Sequence, residues 1–129
     1  MKAALALLVL IAAAPAVADD DHGFSKGERF GEATGEALYR SICQGCHMPD
    51  ARGARGAGTY PSLAGNARLA GAAYPVLVVL NGRRNMPAFA ASLDDAQVAA
   101  VVDYVRSHFG NAYEDGVTAE HVAALRTPK

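Results

Sequence analysis

The five residues Cys43-Gln44-Gly45-Cys46-His47 govern how this chain folds. They include both cysteines of a chain of 129 residues, so the chain lacks the many cysteine pairs on which a disulfide-rich scaffold depends. Two thiols separated by two residues and followed at once by an imidazole form a compact set of ligands. The group that this set holds determines what the rest of the chain must surround.

A Cys-x-x-Cys-His sequence is the attachment site of c-type haem. Each thiol adds across one vinyl group of the haem to form a thioether, and the two intervening residues match the separation of the vinyls. His47 then lies beneath the iron and supplies an imidazole nitrogen as the first axial ligand. The motif therefore predicts one covalently bound haem c, with Cys43 and Cys46 as the attachment residues.

Three other uses of two neighbouring cysteines compete with haem attachment. A thioredoxin-type redox pair normally sits in a βαβ setting, and the chain shows no such pattern. A structural zinc site needs four ligands at characteristic spacings, and the remaining histidines, His22, His108 and His121, form no second spaced pair. A disulfide across two residues would be a strained short loop. The motif and the N-terminal segment together favour haem.

The first 18 residues have the organisation of a secretory signal peptide. Lys2 provides a positive start, residues 3–14 are apolar, and small residues precede Asp19. The alternative is a retained membrane anchor, but only 16 residues separate Lys2 from Asp19, and a span needs about 20. We therefore expect residues 1–18 to be removed on export to the periplasm. Residues 19–26 are expected to be a flexible segment and residues 27–129 one domain.

Composition limits the class of protein. Apolar residues make up 51% of the chain, and 12 Lys and Arg stand against 13 Asp and Glu. Such a chain is too apolar and too balanced in charge to be disordered. It also lacks the excess of basic residues that nucleic-acid binding usually shows, so no nucleic-acid partner is expected. Its length allows one domain of ordinary size.

Apolar residues recur at helical spacing and show no strand pattern, which predicts an all-α fold. The predicted helices cover residues 27–42, 72–80, 92–110 and 118–126, with loops at 43–71 and 83–91. Ser92 and Asp95 resemble a capping box at the start of the third helix, which Gly110 is placed to end. Gly31 and Gly35 share a face of the first helix, which indicates close approach by another helix.

With this haem-attachment motif and these predicted helices, the chain resembles a class I cytochrome c, the family of small mono-haem electron carriers. The matching pieces span residues 27–110 and are Gly35-x-x-x-Tyr39, the haem-attachment motif, Tyr60-Pro61-Ser62-Leu63-Ala64-Gly65, Asn85-Met86-Pro87 and the last long helix with Tyr104-Val105. The resemblance implies three main helices and a short C-terminal helix around one haem. It also implies that the first and last of the main helices cross near Gly35 and Tyr104.

Met86 is predicted to be the second axial ligand, because Met is the expected partner of His in electron-transfer haems. Met1 is lost with the signal peptide. Met48 adjoins His47 and cannot reach the opposite face of the ring, so Met86 remains. Elimination and the resemblance together favour ligation over a filler role in the core. His108 is the alternative ligand, although a partly exposed position near a helix end is expected for it.

The resemblance also implies contacts around the haem. The carbonyl of Pro61 should accept a hydrogen bond from the second ring nitrogen of His47, which would fix the ring and raise its basicity as a ligand. Tyr60, Arg68 and Tyr74 are the candidates for contacts with the haem propionates.

Two axial ligands leave no site on the iron for a substrate, so the predicted function is one-electron transfer and not catalysis. The expected partners are a protein donor and a protein acceptor, such as a periplasmic dehydrogenase, an oxidase or a cytochrome complex. No membrane span is expected after signal cleavage. Four arginines in the haem-flanking loops are candidates for a positive rim that docks an acidic partner: Arg52, Arg55, Arg83 and Arg84.

Two other functions stay open. One is a haem-bearing subunit of a larger periplasmic dehydrogenase, because residues 81–126 look similar to the cytochrome subunits of such enzymes. The other is a five-coordinate haem enzyme or gas sensor, which requires Met86 to be absent from the iron or easily displaced.

Overall fold

The structure is a computed structural model that describes residues 29–56 and 58–126. The predicted signal peptide (1–18) and flexible segment (19–26) lie outside the described residues and stay predictions. Over the described ranges the backbone forms helices and turns with two isolated bridges and no strand. The prediction of an all-α fold is therefore confirmed.

The first helical run contains the Cys-x-x-Cys-His motif. It consists of α1 (Gly35–Leu38), a π-helical turn (Tyr39–Cys43) and α2 (Gln44–His47), which follow one another without a break. Thr34 begins the run because its backbone is extended and its side-chain oxygen accepts a hydrogen bond from the N–H of Ala37 at 3.2 Å. The π-helical turn, a feature frequent at functional sites, ends at the first cysteine of the motif.

The predicted bounds of this first helix are wrong at both ends. Residues 29–33 are not helical, because the helix begins only at the Thr34 cap. Residues 43–47 were expected to be loop, but Cys43 and Gln44 keep right-handed helical backbone angles and the helix continues to His47. The glycine-rich composition that follows the motif therefore marks a loop that begins later than expected.

The second main helix is α3 (Ala73–Asn81), which lies within one residue of its predicted bounds. Pro75 falls in its first turn, where a missing N–H leaves no helical hydrogen bond unmade. Gly82 ends the helix with a φ of 69°, a left-handed value that favours glycine. The long loop before α3 contains a short 3-10 turn (Ala67–Leu69) that begins at the side chain of Asn66.

The third main helix, α4 (Asp95–Ser107), begins later than predicted because Asp94, and not Ser92, provides the capping box. The carboxylate of Asp94 accepts a hydrogen bond from the N–H of Gln97 at 2.8 Å. In return, the side-chain oxygen of Gln97 accepts one from the N–H of Asp94 at 3.0 Å. The helix also ends before Gly110, whose φ is 78°.

The predicted terminal helix is confirmed as α5 (Ala119–Leu125), which Thr118 caps by accepting a hydrogen bond from the N–H of His121. With the run from 35 to 47 counted as one helix, the described residues form three main helices and a short C-terminal helix, as the resemblance implied. Within the same ranges, no helix is long and apolar enough to cross a membrane.

The first helical run crosses α4 at Gly35. A Cβ atom on Gly35 would lie 2.1 Å from the carbonyl oxygen of Ala100 and 2.6 Å from the Cβ of Tyr104, so the two backbones approach this closely only at a glycine. The rings of Tyr39 and Tyr104 lie 5.8 Å apart. The crossing near Gly35 and Tyr104 is confirmed, whereas a Cβ on Gly31 would have no neighbour within 4 Å.

A hydrophobic core fills the space between the helices. Its largest fully buried apolar side chains come from all three main helices and from α5: Leu38, Tyr39, Val76, Leu80, Val98 and Val122. The core thus joins the short terminal helix to the rest of the fold.

One buried arginine, Arg106 of α4, connects the core to the loops, and sequence reasoning missed it. Its Nε donates to the carbonyl oxygen of Leu69 at 2.9 Å. Its Nη2 donates to the carbonyl oxygen of Ala70 at 3.0 Å and to Asp115 Oδ1 at 2.6 Å. The guanidinium lies 5.5 Å from the ring centroid of Tyr113. These bonds fix the chain before α3 and the chain before α5 to the same helix.

We expect Gly35→Ala to lower the free energy of unfolding by about 2 kcal/mol, because the added methyl group overpacks the crossing with α4. Gly31→Ala is the matched control and should change that free energy by less than about 0.5 kcal/mol. Denaturant unfolding of the haem-containing protein measures both. Equal losses for the two variants would contradict the close approach at Gly35.

The Arg106–Asp115 pair predicts a pH dependence of stability. The hydrogen bond from Arg106 holds the pKa of the Asp115 carboxyl below its usual 3.8. Because the pKa is lower in the folded state, the pair stabilises the fold above the unfolded pKa, and this stabilisation is lost as the pH falls through the folded pKa.

Asp115→Asn should therefore reduce the free energy of unfolding at neutral pH and make that free energy fall less steeply below about pH 4. Unfolding free energies measured against pH test this, with Glu114→Gln as control. Parallel curves for wild type and Asp115→Asn would contradict it.

Candidate haem site

The two cysteines and the histidine of the motif lie within about one helical turn. Cys43 closes the π-helical turn and is half-buried, whereas Cys46 in α2 is exposed, and both are free thiols in the structure. Burial, with a smaller effect of Cys46, raises the pKa of the Cys43 thiol to about 12. Cys43 in the free chain is therefore an uncharged thiol at neutral pH.

His47 is buried and oriented by a backbone carbonyl. Its side chain is 8% exposed, and its Nδ1 lies 3.0 Å from the carbonyl oxygen of Pro61. A carbonyl oxygen only accepts, so Nδ1 carries the proton and Nε2 has a free lone pair. Burial lowers the pKa of His47, because it disfavours the charged imidazolium. The residue is thus a neutral imidazole in the tautomer that ligates a metal through Nε2.

This donor set fits haem attachment better than a bare metal ion. Within residues 29–56 and 58–126, no group of three or more His, Cys, Asp or Glu side chains is placed to hold a metal. Two free thiols beside one oriented imidazole match what a covalently attached haem needs on one face.

The loop after His47 folds back on the motif. The N–H of Gly53 donates to the carbonyl oxygen of His47 at 2.9 Å, and the N–H of Ala54 donates to that of Cys46 at 3.0 Å. Gly53 has a φ of 80°, and a Cβ there would lie 2.2 Å from the carbonyl oxygen of Tyr60. The backbone at Gly53 therefore packs against Tyr60, the residue before Pro61, whose carbonyl oxygen faces His47.

Asn111 fixes the same loop to the end of α4, and sequence reasoning missed it. Its Nδ2 donates to the carbonyl oxygens of Leu63 at 2.8 Å and of Val105 at 2.9 Å. Its Oδ1 accepts a hydrogen bond from the N–H of Asn66 at 2.9 Å. The side chain is buried and forms hydrogen bonds with three backbone groups. Two of these groups, in Leu63 and Asn66, belong to the loop just beyond Pro61, so Asn111 holds that part of the loop against the end of α4. The only sequence signal is an asparagine directly after the glycine that follows the helix.

Met86 lies in a tight turn after α3. The N–H groups of Met86 and Arg83 each donate to the carbonyl oxygen of the other at 3.0 Å. At Gly82, a Cβ would lie 2.6 Å from the carbonyl oxygen of Met86, so the turn packs closely on the end of the helix. Further on, the N–H of Phe89 donates to the carbonyl oxygen of Val79 at 2.9 Å. The position of partly buried Met86 is thus set by backbone contacts with α3.

The residues that competed with Met86 have other surroundings. Met48 ends α2 with a φ of 67°, and its carbonyl oxygen accepts a hydrogen bond from the hydroxyl of Tyr39 at 2.8 Å. His108 is exposed just after α4, and its Nδ1 donates to the carbonyl oxygen of Tyr104 at 2.9 Å. The position expected for His108 is therefore the one observed.

Arg68 and Tyr74, two of the three propionate candidates, line one open cleft together with Arg83. Its volume is about 290 Å³. Arg83 Nη1 donates to the hydroxyl oxygen of Tyr74 at 2.9 Å, and its guanidinium lies 6.0 Å from the centre of that ring. Tyr60, the third candidate, is exposed on the preceding loop and does not line this cleft. The structure therefore adds Arg83 to the group that the sequence suggested.

Residues 31–105, more than half of the chain, match the protein-family model described as "Cytochrome C oxidase, cbb3-type, subunit III". The chain belongs to the c-type cytochromes. Members of this family carry covalently bound haem c and transfer electrons, so the haem interpretation of the motif is supported at the level of the family.

Small cytochromes and cytochrome subunits of dehydrogenases are both among the relatives of this c-type cytochrome. Cytochrome c-552 of Thermus thermophilus is 32% identical, over 80% of this chain and 81% of that protein. The cytochrome c subunit of 4-cresol dehydrogenase from Pseudomonas putida is 36% identical, over 77% of this chain and 73% of that subunit. The fructose dehydrogenase cytochrome subunit of Gluconobacter japonicus is 38% identical over 71% of this chain, which spans only 22% of that subunit.

We expect Asn111→Ala to lower the free energy of unfolding by about 3 kcal/mol, because it leaves the buried carbonyl oxygen of Val105 and the partly buried backbone groups of Leu63 and Asn66 without this partner. Asn81→Ala is the matched control, since the exposed Asn81 side chain donates only to the carbonyl oxygen of Leu77 within its own helix. Its loss should be below about 1 kcal/mol. Denaturant titration of both variants provides the comparison, and similar losses would show that Asn111 does not hold the loop.

Proposed function

We propose that this cytochrome carries a single haem c, joined to Cys43 and Cys46, and works as a one-electron carrier in the periplasm. His47 and Met86 would hold the iron. The observation that supports this most directly is the state of His47: a buried neutral imidazole whose Nδ1 is committed to Pro61 and whose Nε2 is free. That is the arrangement of an orienting hydrogen bond behind a metal ligand.

When bound, the haem supplies an iron centre that alternates between the ferric and ferrous states. The contribution of the chain is to keep both ligands still. The Pro61 carbonyl fixes the ring of His47, and the backbone bonds around Arg83 and Phe89 fix the turn of Met86. A fixed pair of ligands leaves little rearrangement to oppose electron transfer, and it leaves no open position for a substrate. We therefore propose a carrier and not an enzyme.

Arg68, Tyr74 and Arg83 are proposed to bind the haem propionates. Two guanidinium groups and a phenol around one open cleft suit carboxylates, which accept hydrogen bonds from such donors. Arg83 already donates to Tyr74, so the two side chains are arranged before any carboxylate arrives. Tyr60 stays a candidate for a propionate on the side of the preceding loop.

A dehydrogenase is the proposed electron donor. The names of two relatives, the fructose dehydrogenase and 4-cresol dehydrogenase cytochrome subunits, support this proposal. Export through residues 1–18 would bring the chain to such an enzyme in the periplasm. All four arginines of the proposed rim are exposed, and with Arg83 assigned to the propionates, the ones proposed to face an acidic partner are Arg52, Arg55 and Arg84. A subunit permanently bound to the dehydrogenase is the second candidate function, supported by the same relatives.

Replacement of Met86 tests the proposed function. In wild type we expect the visible spectrum of thioether-bound haem, one haem per chain by mass, and the weak ferric sulfur-to-iron band. Met86→Ala should lose that band and acquire a lower reduction potential, because Met ligation favours ferrous iron. Met48→Ala is the matched control and should keep both properties, because Met48 directly follows His47.

Three outcomes would contradict the proposal. A protein matured with the haem-attachment machinery that carries no covalent haem would remove its basis. A sulfur-to-iron band that survives in Met86→Ala would exclude Met86 as the ligand. Tight binding of carbon monoxide by ferrous wild type would favour the five-coordinate enzyme or sensor, because a firmly held Met blocks that position.

A further inference from the structure

The terminal helix lies outside the segment that defines the family and yet contacts the loop that contains Met86. The family match ends at residue 105, whereas α5 covers Ala119–Leu125. The side chain of Val122 is fully buried, and α5 packs on α3 and α4. The residue that ends α5, Arg126, reaches back to the start of α4.

Arg126 makes three hydrogen bonds there, one from each nitrogen of its guanidinium. Nε donates to Asp95 Oδ1 at 2.6 Å, which is also an ion pair. Nη1 donates to the carbonyl oxygen of Ala90 at 2.6 Å, and Nη2 donates to that of Leu93 at 3.1 Å. The side chain is only 24% exposed, so these bonds are partly shielded from water. A planar group with fixed donors suits such a set of acceptors, and a lysine cannot reproduce it.

Two of the acceptors belong to the segment between Met86 and α4. The N–H of Ala90 donates to the carbonyl oxygen of Leu80 at 3.2 Å, and its carbonyl oxygen accepts from Arg126. The segment is therefore held from two sides, by α3 through its N–H groups and by Arg126 through its carbonyl oxygens. Ala90 lies four residues after Met86, so the position of Arg126 limits how far the Met86 loop can move away.

We propose that Arg126 is a positioning residue for Met86, which it keeps against the iron by fixing the far end of the loop. This inference rests on the proposed function, since it requires Met86 to be the ligand. Loss of the three bonds would leave the loop attached by its hydrogen bonds to α3 and by one long bond of 3.4 Å, from the N–H of Phe30 to the carbonyl oxygen of Ser92. The open conformation, in which an external ligand replaces Met86, would then be more populated, and the apparent affinity for that ligand would rise with it.

The test measures imidazole binding to the ferric protein by absorbance titration. Arg126→Gln should bind imidazole about tenfold more tightly than wild type, which corresponds to the loss of one to two net hydrogen bonds. Arg126→Lys should fall between the two, because it retains the charge but not the three donors in their fixed geometry. Arg40→Gln is the matched control, since Arg40 is exposed and pairs only with Glu36, and it should leave the affinity unchanged.

This readout separates positioning from general stability. Imidazole titration reports on the folded protein, so a variant that only lowers the free energy of unfolding leaves the affinity where it was. Circular dichroism confirms that each variant is folded at the titration temperature. An unchanged affinity in Arg126→Gln overturns the inference, and so does an equal rise in Arg40→Gln.

Failure of the inference is distinguishable from failure of the proposed function. Met86→Ala should bind imidazole far more tightly than wild type, because no side chain has to be displaced. If it does and Arg126→Gln does not, Met86 is the ligand and only the role of Arg126 is wrong. If Met86→Ala binds imidazole as wild type does, the assignment of Met86 as ligand fails, and the inference fails with it.

Discussion

A 3.0 Å contact between His47 Nδ1 and the carbonyl oxygen of Pro61 joins the helix that carries the motif to the loop that returns beneath it. The contact decides the tautomer of the ring, and through the tautomer it decides which nitrogen is free. It also requires the loop to be in one place, since a shift of a few tenths of an ångström lengthens the bond beyond its useful range. Much of the remaining structure can be understood as the means by which that loop is held.

Side chains from the later part of the chain hold this loop and the segments on either side of α3. Arg106 fixes the carbonyl oxygens ahead of α3, Asn111 fixes the loop beyond Pro61, and Arg126 fixes the segment beyond Met86. All three side chains project from α4, from the turn after it or from the end of α5. The motif and its loop precede α3, but their placement depends on residues that follow α3.

What the sequence could predict follows from the range of the interactions. The Cys-x-x-Cys-His motif, the helical classes and the closeness of Gly35 to Tyr104 depend on local spacing or on a family pattern, and each could be recognised in advance. The start of α4 was misplaced because Ser92 and Asp94 are both good caps, and only the bond to Gln97 distinguishes them. The first helix was misplaced because glycine-rich sequence does not tell a helix that continues through the motif from a loop that begins there.

The long-range polar contacts were beyond prediction for a different reason. Arg106, Asn111 and Arg126 look like ordinary surface residues in a sequence, because a side chain that donates to a distant backbone carbonyl leaves no periodic pattern. Every residue of the chain has a main-chain carbonyl oxygen, so the sequence does not show which of them will be the acceptor. The bond between Arg83 and the hydroxyl of Tyr74 joins two side chains, but it spans nine residues and the loop after α3, and no local spacing rule predicts such a pair.

Because these side chains bind mostly main-chain oxygens, the loops they hold are largely free to change their own side chains. Replacing exposed Ala70 or partly exposed Ala90 keeps the acceptor oxygen where it was, so the anchoring bond survives the substitution. The three donors have no such freedom. A protein built in this way can acquire a new surface around its redox centre, and with it a new partner, while the geometry of the centre stays the same.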